Sequence, residues 1–265
     1  MRLQPALHDL VTCVHAPTVV LSAADGQVRQ TGAQGAFRGS LRVLSLAEVR
    51  IDDTEPLPVL SVLDGPSGAR FVSLDRRHGN PGPDPTVRLE RRRLATAAGL
   101  EERLSITSTA VDAFTTTVSV DLAVDLASVH AVNAGETAPP PLPPTIDGTS
   151  ATWEAADGIR VTVTAPGAQL QSTEAGTRAS WDVRVFPRDE LTLGWSLTTT
   201  DAGAVVGAAP GAAPWTRPTV VADDAGLAAL VTQSLDDLDA LRMSLSGRPD
   251  GQFLAAGTPW YLTLF

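Results

Sequence analysis

The sequence has no lysine, a single cysteine, a single tyrosine and no long apolar run. The lone cysteine, Cys13, excludes an internal disulfide and any site built from several thiolates. The absence of lysine excludes the Ser-x-x-Lys motif of one class of serine acyl enzymes. The chain also lacks eighteen consecutive apolar residues and an apolar signal-peptide core, so the sequence predicts a cytoplasmic protein that does not enter a membrane.

Basic residues are in the minority, twenty against thirty acidic ones, which gives a formal net charge of −10. A negative surface repels phosphate backbones, so nucleic acid is not expected as a partner. The four histidines, His8, His15, His78 and His130, form no local metal-binding motif. The glycines do not have the spacing of a phosphate-binding loop. We therefore expect no metal ion and no cofactor.

Short alternating segments separated by turn residues fill most of the chain. The longest, residues 115–126, places Val118, Val120 and Leu122 on one face. Such segments recur with no helical pattern between them, which is typical of an antiparallel two-sheet sandwich. The proline-rich segment 137–145 cannot lie inside a sheet, and we interpret it as a loop within one sandwich.

One long helical pattern follows near the C-terminus. Leucine and valine recur three or four residues apart from Leu227 to Leu245, so one face is apolar. Asp223 or Asp224 is predicted to cap its start, and Gly247 is predicted to end it. The fold class predicted from these patterns is mainly β, an antiparallel β-sandwich followed by one C-terminal amphipathic helix.

Charged side chains offer no obvious catalytic pair. A glycosidase needs two carboxyl groups that face each other across a cleft, whereas adjacent acids on a strand, such as Glu101 and Glu102, point to opposite faces. We interpret these pairs as turn, cap or solvent-facing charges. The basic run 91–93 is likewise split between faces, and we interpret it as an exposed sheet edge or a salt-bridged surface.

Cys13 and His15 are two residues apart on a predicted strand, so their side chains point the same way. This arrangement allows either a thiolate–imidazole pair or a buried cysteine beside a histidine at the strand end. The second interpretation is favoured.

The chain has five tryptophans but only one tyrosine. Trp153, Trp181 and Trp195 lie on predicted strands and are expected to pack in the core. Trp260 follows an Ala-Ala-Gly-Thr-Pro stretch, a setting that indicates exposure at a site. A flat indole packs well against the apolar face of a sugar ring, so Trp260 is the candidate ligand-binding residue.

Four stretches resemble motifs of bacterial glycogen debranching enzymes of the amylo-α-1,6-glucosidase type, in the same order. The tail 255–265, AAGTPWYLTLF, resembles AAGxPWFxxLFGRDS, and the segment before it, SLDDLDAL, resembles RSLxDLxAL. Residues 91–107 resemble RxRxVxxGLxERLxLxN, and residues 37–46, FRGSLRVLSL, resemble FxxDTRxLSxL. The chain departs from the family at Ser40 and Leu41, where the motif has Asp and Thr. It also reads DLASVHAVNAGE at Asp125–Glu136, where the family has DFADxFEVRG.

The resemblance implies a β-supersandwich over residues 1–222, then a linker helix and the start of an α/α-barrel over 223–265. The rest of the barrel, with two catalytic acids, would follow Phe265. The implied ligand is a glycogen-like α-glucan, the implied partner is an α/α-barrel catalytic domain or subunit, and the residues implied nearest the sugar are Trp260 and Phe265. This chain alone would then contribute no catalytic residue.

Two alternatives remain open at this stage. The first is a stand-alone carbohydrate-binding or protein-interaction β-sandwich. The second is a diverged remnant without a glucan role.

Overall fold

The computed structural model describes residues 5–155 and 158–262. The strands of the first half are β1 (Val11–His15), β2 (Thr18–Ser22), β3 (Gly35–Arg38), β4 (Leu41–Leu44), β5 (Leu46–Ile51), β6 (Leu57–Asp64), β7 (Gly68–Asp75), β8 (Val87–Thr96), β9 (Gly99–Ser108) and β10 (Phe114–Ala123). The elements that follow are α1 (Val129–Asn133), β11 (Thr145–Asp147), β12 (Ser150–Glu154), β13 (Arg160–Thr164), β14 (Gln169–Thr173), β15 (Gly176–Val185), β16 (Glu190–Thr200), β17 (Val206–Ala208), α2 (Ala225–Ala240), β18 (Arg242–Leu245) and β19 (Arg248–Leu254).

The described strands form four antiparallel sheets. The largest has eight strands in the order β11-β12-β13-β16-β9-β8-β7-β6. Two four-stranded sheets have the orders β1-β2-β3-β4 and β14-β15-β10-β5, and a small sheet has the order β17-β18-β19. The large sheet contains strands from both sides of the proline-rich segment 137–145, β6 to β9 before it and β11 to β13 and β16 after it, so this segment is a connection within one fold, as predicted.

The main core lies between the large sheet and the two four-stranded sheets, which cover one of its faces. Alternation along the strands produces this arrangement, because every second side chain of β8 and β9 is buried and the others face solvent. On β10, Val118, Val120 and Leu122 are all fully buried, as the alternation predicts. The mainly β, antiparallel fold class is confirmed.

A second, smaller core holds the C-terminal segment against the first sheet. Phe37 of β3, Met243 of β18 and Leu262 are buried together in it. The small sheet joins β17, which precedes residue 222, to β18, which follows it. The domain boundary at 222 stays a prediction.

The predicted start of the long helix is confirmed and its predicted end is wrong. Asp224 caps α2 with its side-chain oxygen, but the helix ends at Ala240 and not at Gly247. Residues 242–245 form β18, because pairing with strands on both sides and full burial of Met243 outweigh the helical spacing of the leucines. Gly247 lies in the β18–β19 turn with a φ of +79°, a left-handed conformation that favours glycine.

The apolar face of α2 is only partly covered. Leu227, Leu230 and Leu238 are 45%, 62% and 39% exposed, whereas Val231 and Leu235 are half-buried. Among the described residues, no helix is long and apolar enough to cross a membrane. Trp153, Trp181 and Trp195 are buried in the main core, as predicted.

Candidate functional site

The β3–β4 turn forms one wall of a cleft at the end of the first sheet. Gly39 has a φ of +56°, which the turn requires and which glycine adopts without a steric cost. The carbonyl of Ser40 accepts a hydrogen bond of 2.8 Å from the backbone N–H of Val129. Leu41 forms a β-bridge with Ser128. The segment 37–46, which resembles a family motif, is therefore in direct contact with the segment 125–136, where the chain departs from one.

A buried ion pair joins the same two segments. The Arg42 guanidinium donates to both carboxylate oxygens of Asp125, with an Nε–Oδ1 distance of 3.2 Å, and the side chains are 2% and 0% exposed. Asp125 Oδ1 also accepts from the backbone N–H of Ala127 at 3.1 Å, and the carbonyl of Ala127 accepts from the N–H of Arg42 at 2.8 Å. The pair positions the loop that leads into α1.

The short helix α1 forms the second wall. Ser128 caps it, because its Oγ accepts from the backbone N–H of Ala131 at 3.1 Å. Val132 is buried beneath the helix, while His130 is exposed and Asn133 is half-buried beside the cleft.

Trp260 forms part of the third wall, and Phe265 lies outside the described residues. The Trp260 ring packs edge-on against Phe37, with centroids 6.2 Å apart and planes at 77°. The indole is half-buried, so it is neither a core side chain nor a fully exposed one. Its role in ligand binding stays a prediction.

The cleft enclosed by these walls and by the segment 199–206 has a volume of about 710 Å³. Three of its lining residues carry a polar atom that is inaccessible to solvent and has no hydrogen-bond partner in the part of the chain described here: Asn133 Oδ1, Thr199 Oγ1 and Trp260 Nε1. An unpaired buried polar group costs about 1–3 kcal/mol. The presence of three such groups on residues that line one cleft marks it as the candidate site for a polar ligand or partner.

The charges at the cleft are few. Burial lowers the pKa of Arg38, and the negative charge of Asp201 opposes this shift. The Arg38 guanidinium donates to the carbonyl of Ala97 and to Thr18 Oγ1, the latter at 3.4 Å. Asp201 is the one carboxylate among the described lining residues. The cleft is therefore suited to hold a neutral, hydroxyl-rich molecule.

A larger hollow, of about 830 Å³, lies on the other side of the large sheet. Its side chains include Arg92 and Arg103, which face solvent; Arg103 lies between Gly194 of β16 and Arg92 of β8. Arg93 and Trp195 also border it, but strand alternation places their side chains on the buried face. We take the smaller cleft as the candidate site, because unpaired polar atoms converge there.

The basic run 91–93 is a surface feature only at Arg92, which is exposed and pairs with Glu90; for Arg91 and Arg93 the prediction is wrong. Arg91 and Arg93 lie in the main core on either side of Glu102, whose side chain is 0% exposed. Arg91 Nη2 is 2.9 Å from Glu102 Oε2, and Arg93 Nε is 2.8 Å from Oε1. Burial raises the pKa of Glu102, but the two guanidinium charges lower it by more, and the net pKa is below its usual range.

The alternation of residues along β8 indicates which arginines are buried, and the sequence prediction did not use it. Arg91 and Arg93 have the same parity as Leu89 and Ala95, which are buried, and Arg92 has the opposite parity. The sequence prediction placed neighbouring arginines on opposite faces of the strand, but it assigned neither face to the core.

Cys13 is fully buried, as the favoured interpretation holds. Burial raises its pKa to about 11, so the group is a neutral thiol at neutral pH and forms no thiolate–imidazole pair with His15. We expect no reaction of the native protein with Ellman's reagent at pH 8 and one reactive thiol per chain in guanidinium chloride. Rapid labelling of the native protein would contradict the burial of this thiol.

A sequence model described as the N-terminal domain of some glycogen debranching enzymes matches residues 13–196. The chain belongs to this family. The match runs from β1 into β16. It includes the Arg42–Asp125 pair and two walls of the cleft, the β3–β4 turn and α1. Trp260 lies outside the matched residues. No curated protein matches the chain.

Some solved structures resemble this debranching-enzyme domain at low sequence identity. A protein described as a kojibiose phosphorylase, from the human microbiome, has a TM-score of 0.50 at 8% identity over 71% of this chain and 29% of its own. A protein described as an aldose 1-epimerase, from Escherichia coli K12, has a TM-score of 0.46 at 10% identity over 72% of this chain and 98% of its own. Heparan sulfate lyase HepC from Pedobacter heparinus, as a mutant, has a TM-score of 0.46 at 9% identity over 99% of this chain and 43% of its own. The likeness with a TM-score of 0.50 shows the fold alone.

Proposed function

We propose that this chain is a non-catalytic N-terminal domain of a cytoplasmic glycogen-debranching-like protein. It packs on an α/α-barrel and forms one wall of an α-glucan site. In this proposal residues 1–222 are the supersandwich and 223–265 are the linker helix and the start of the barrel. Family membership supports the class of protein, since the matching family is one of N-terminal domains.

The observation that carries the proposal is the cleft with its three unpaired polar atoms. Sugar hydroxyls both donate and accept, so one sugar unit offers partners to Asn133 Oδ1, Thr199 Oγ1 and Trp260 Nε1 after small side-chain movements. Trp260 adds an aromatic surface for the apolar face of the ring. Asp201 is the one carboxylate among the described lining residues, and hydrolysis with inversion needs two, so the cleft supports binding and not cleavage.

The exposed leucines of α2 support the packing on a barrel. Leu227, Leu230 and Leu238 share a side of the helix that nothing in the described chain covers. Fully burying an exposed leucine is worth about 1.5–3 kcal/mol, and these side chains are 39–62% exposed, so covering them contributes roughly half of that value each. An α/α-barrel offers helices to cover them.

We expect the full chain to be retarded in a native gel that contains glycogen. Trp260→Ala should abolish most of the retardation, because it removes the aromatic surface and one hydrogen-bond donor of the cleft. Trp215→Ala is the matched control, since Trp215 is also half-buried with an unpaired Nε1 but does not line the cleft.

Equal retardation of the Trp260→Ala and Trp215→Ala variants would contradict the role of Trp260. Wild-type mobility that does not change with glycogen would contradict glucan binding by the isolated chain. Release of glucose from an α-1,6-branched dextrin by this chain alone would contradict its non-catalytic role.

A further inference from the structure

Strand β6 is an uncovered edge of the large sheet. It pairs with β7 on one side, and no described residue pairs with its other side. All eight of its residues are exposed, on both faces of the strand. The outer backbone N–H and C=O groups of β6 are therefore free to pair with another strand.

The side chains of β6 are apolar, which is unusual for a free edge. Its five large apolar residues are between 40% and 60% exposed: Leu57, Val59, Leu60, Val62 and Leu63. Edges are normally protected by charges, and no charged residue lies between positions 57 and 63. The opposite edge of the same sheet, β11, is only three residues long, and the edge strand β14 carries Gln, Ser and Thr.

We propose that β6 pairs with β6 of a second copy of this chain, antiparallel, about a two-fold axis at Ser61. In this register Leu60 lies opposite Val62 of the second copy, and Val59 lies opposite Leu63 of the second copy. Every large side chain from 59 to 63 then faces an apolar partner, and the two eight-stranded sheets form one continuous sheet.

The ends of the strand favour this register. Pro58 has no N–H to donate, and Val59 is the bulged residue between Pro58 and Leu60, so the strand is regular from Leu60 onward. Asp64 is the first charge at the other end. A two-fold axis at Ser61 places Pro58 opposite Asp64 of the second copy; between them the pairing is regular from Leu60 to Val62, and the bulged Val59 lies beside Leu63 of the second copy.

Charge and position both favour a second copy as the occupant. Other faces of the chain carry its net charge of −10 and repel a second copy, whereas the segment 57–63 is uncharged. Three strands separate β6 from β16, whose end borders the glucan cleft. At about 4.8 Å per strand this is roughly 19 Å, so pairing at β6 leaves the cleft open and does not depend on its function.

Sedimentation equilibrium of the full chain across micromolar concentrations tests the proposal. We expect a monomer–dimer equilibrium that Ser61→Lys weakens at least tenfold, because the two-fold axis places the two lysines directly opposite each other. Ser61→Glu should weaken it similarly, and an equimolar mixture of the two variants should recover a heterodimer. Ser172→Lys is the matched control, an exposed serine on the edge strand β14, and should leave the equilibrium unchanged.

A cross-linking experiment tests the register. Ser61→Cys should give a covalent dimer with a short bismaleimide, since the two Cβ atoms of directly opposite residues lie about 4.5–5.5 Å apart. The native Cys13 is fully buried and does not compete. A wild-type monomer at all concentrations, a dimer unaffected by Ser61→Lys, or equal cross-linking of Ser172→Cys would overturn the proposal.

Discussion

Glu102→Gln is expected to lower the free energy of unfolding by about 3–5 kcal/mol, the usual effect of removing one member of a buried ion pair. The glutamine keeps the shape of the side chain but leaves two buried guanidinium groups, Arg91 and Arg93, without a counter-charge. Gln27 accepts one hydrogen bond from Arg91 and the carbonyl of Gly26 accepts one from Arg93, but neither carries a charge. Urea unfolding followed by tryptophan fluorescence measures the loss.

Glu90→Gln is the matched control for this variant. Glu90 is also an acid of the large sheet that pairs with two arginines, Arg88 and Arg92, but both of these are exposed. Exposed pairs contribute about 0–1 kcal/mol, so the control should unfold near the wild-type urea concentration. A Glu102→Gln variant as stable as the control would show that the buried network does not stabilise the fold.

The same network predicts the acid sensitivity of the protein. The folded-state pKa of Glu102 is below its usual range, so this carboxylate stabilises the folded state fully above the unfolded-state pKa of about 4.3. The stabilisation is lost as the pH falls below that value toward the folded pKa. In wild-type protein the urea midpoint should therefore fall steeply below about pH 4.3, and the Glu102→Gln variant should lack this component.

Alternation alone predicted most of the fold. The spacing of Val118, Val120 and Leu122 is a local property, and a sheet with one buried face requires it wherever it occurs. Strand order is not local, and nothing in the sequence showed that β16 inserts between β13 and β9. The end of α2 was mispredicted for a similar reason, since residues 242–245 suit a helix by spacing and become a strand only because β17 and β19 are beside them.

The candidate site was predictable only where a motif marked it. The Ala-Ala-Gly-Thr-Pro stretch before Trp260 and the resemblance to a family motif both single out this residue, and it does border the cleft. Asn133 and Thr199 are ordinary polar residues in the sequence, and they matter because the fold leaves their side-chain oxygens buried and unpaired. The contact between the segments 37–46 and 125–136 depends on tertiary structure that no spacing reveals.

Asp125→Ala is expected to cost about 3–5 kcal/mol and to release the loop before α1, because Arg42 would remain buried without its counter-charge. Asp121→Ala on β10 is the matched control. Asp121 pairs with Arg178 at 2.6 Å and with Arg50 at 3.3 Å, and these pairs are partly exposed, so its loss should cost clearly less than the loss of Asp125. Hydrogen exchange should show faster exchange of segments 38–44 and 125–133 in the Asp125 variant and not in the control.

A double variant separates the role of the ion pair from a general loss of folding. Arg42→Met combined with Asp125→Leu replaces both charges by apolar side chains, and such replacements of a buried pair are often neutral or stabilising. We expect the double variant to recover much of the stability that Asp125→Ala loses, with a coupling energy of about 0.5–3 kcal/mol in a double-mutant cycle.

If the glucan site lies in the cleft, glycogen retardation should be lost in Asp125→Ala at temperatures where the protein is still folded, because α1 would no longer hold Asn133 beside Trp260. Retardation equal to that of Asp121→Ala would show that the Arg42–Asp125 pair does not position the cleft.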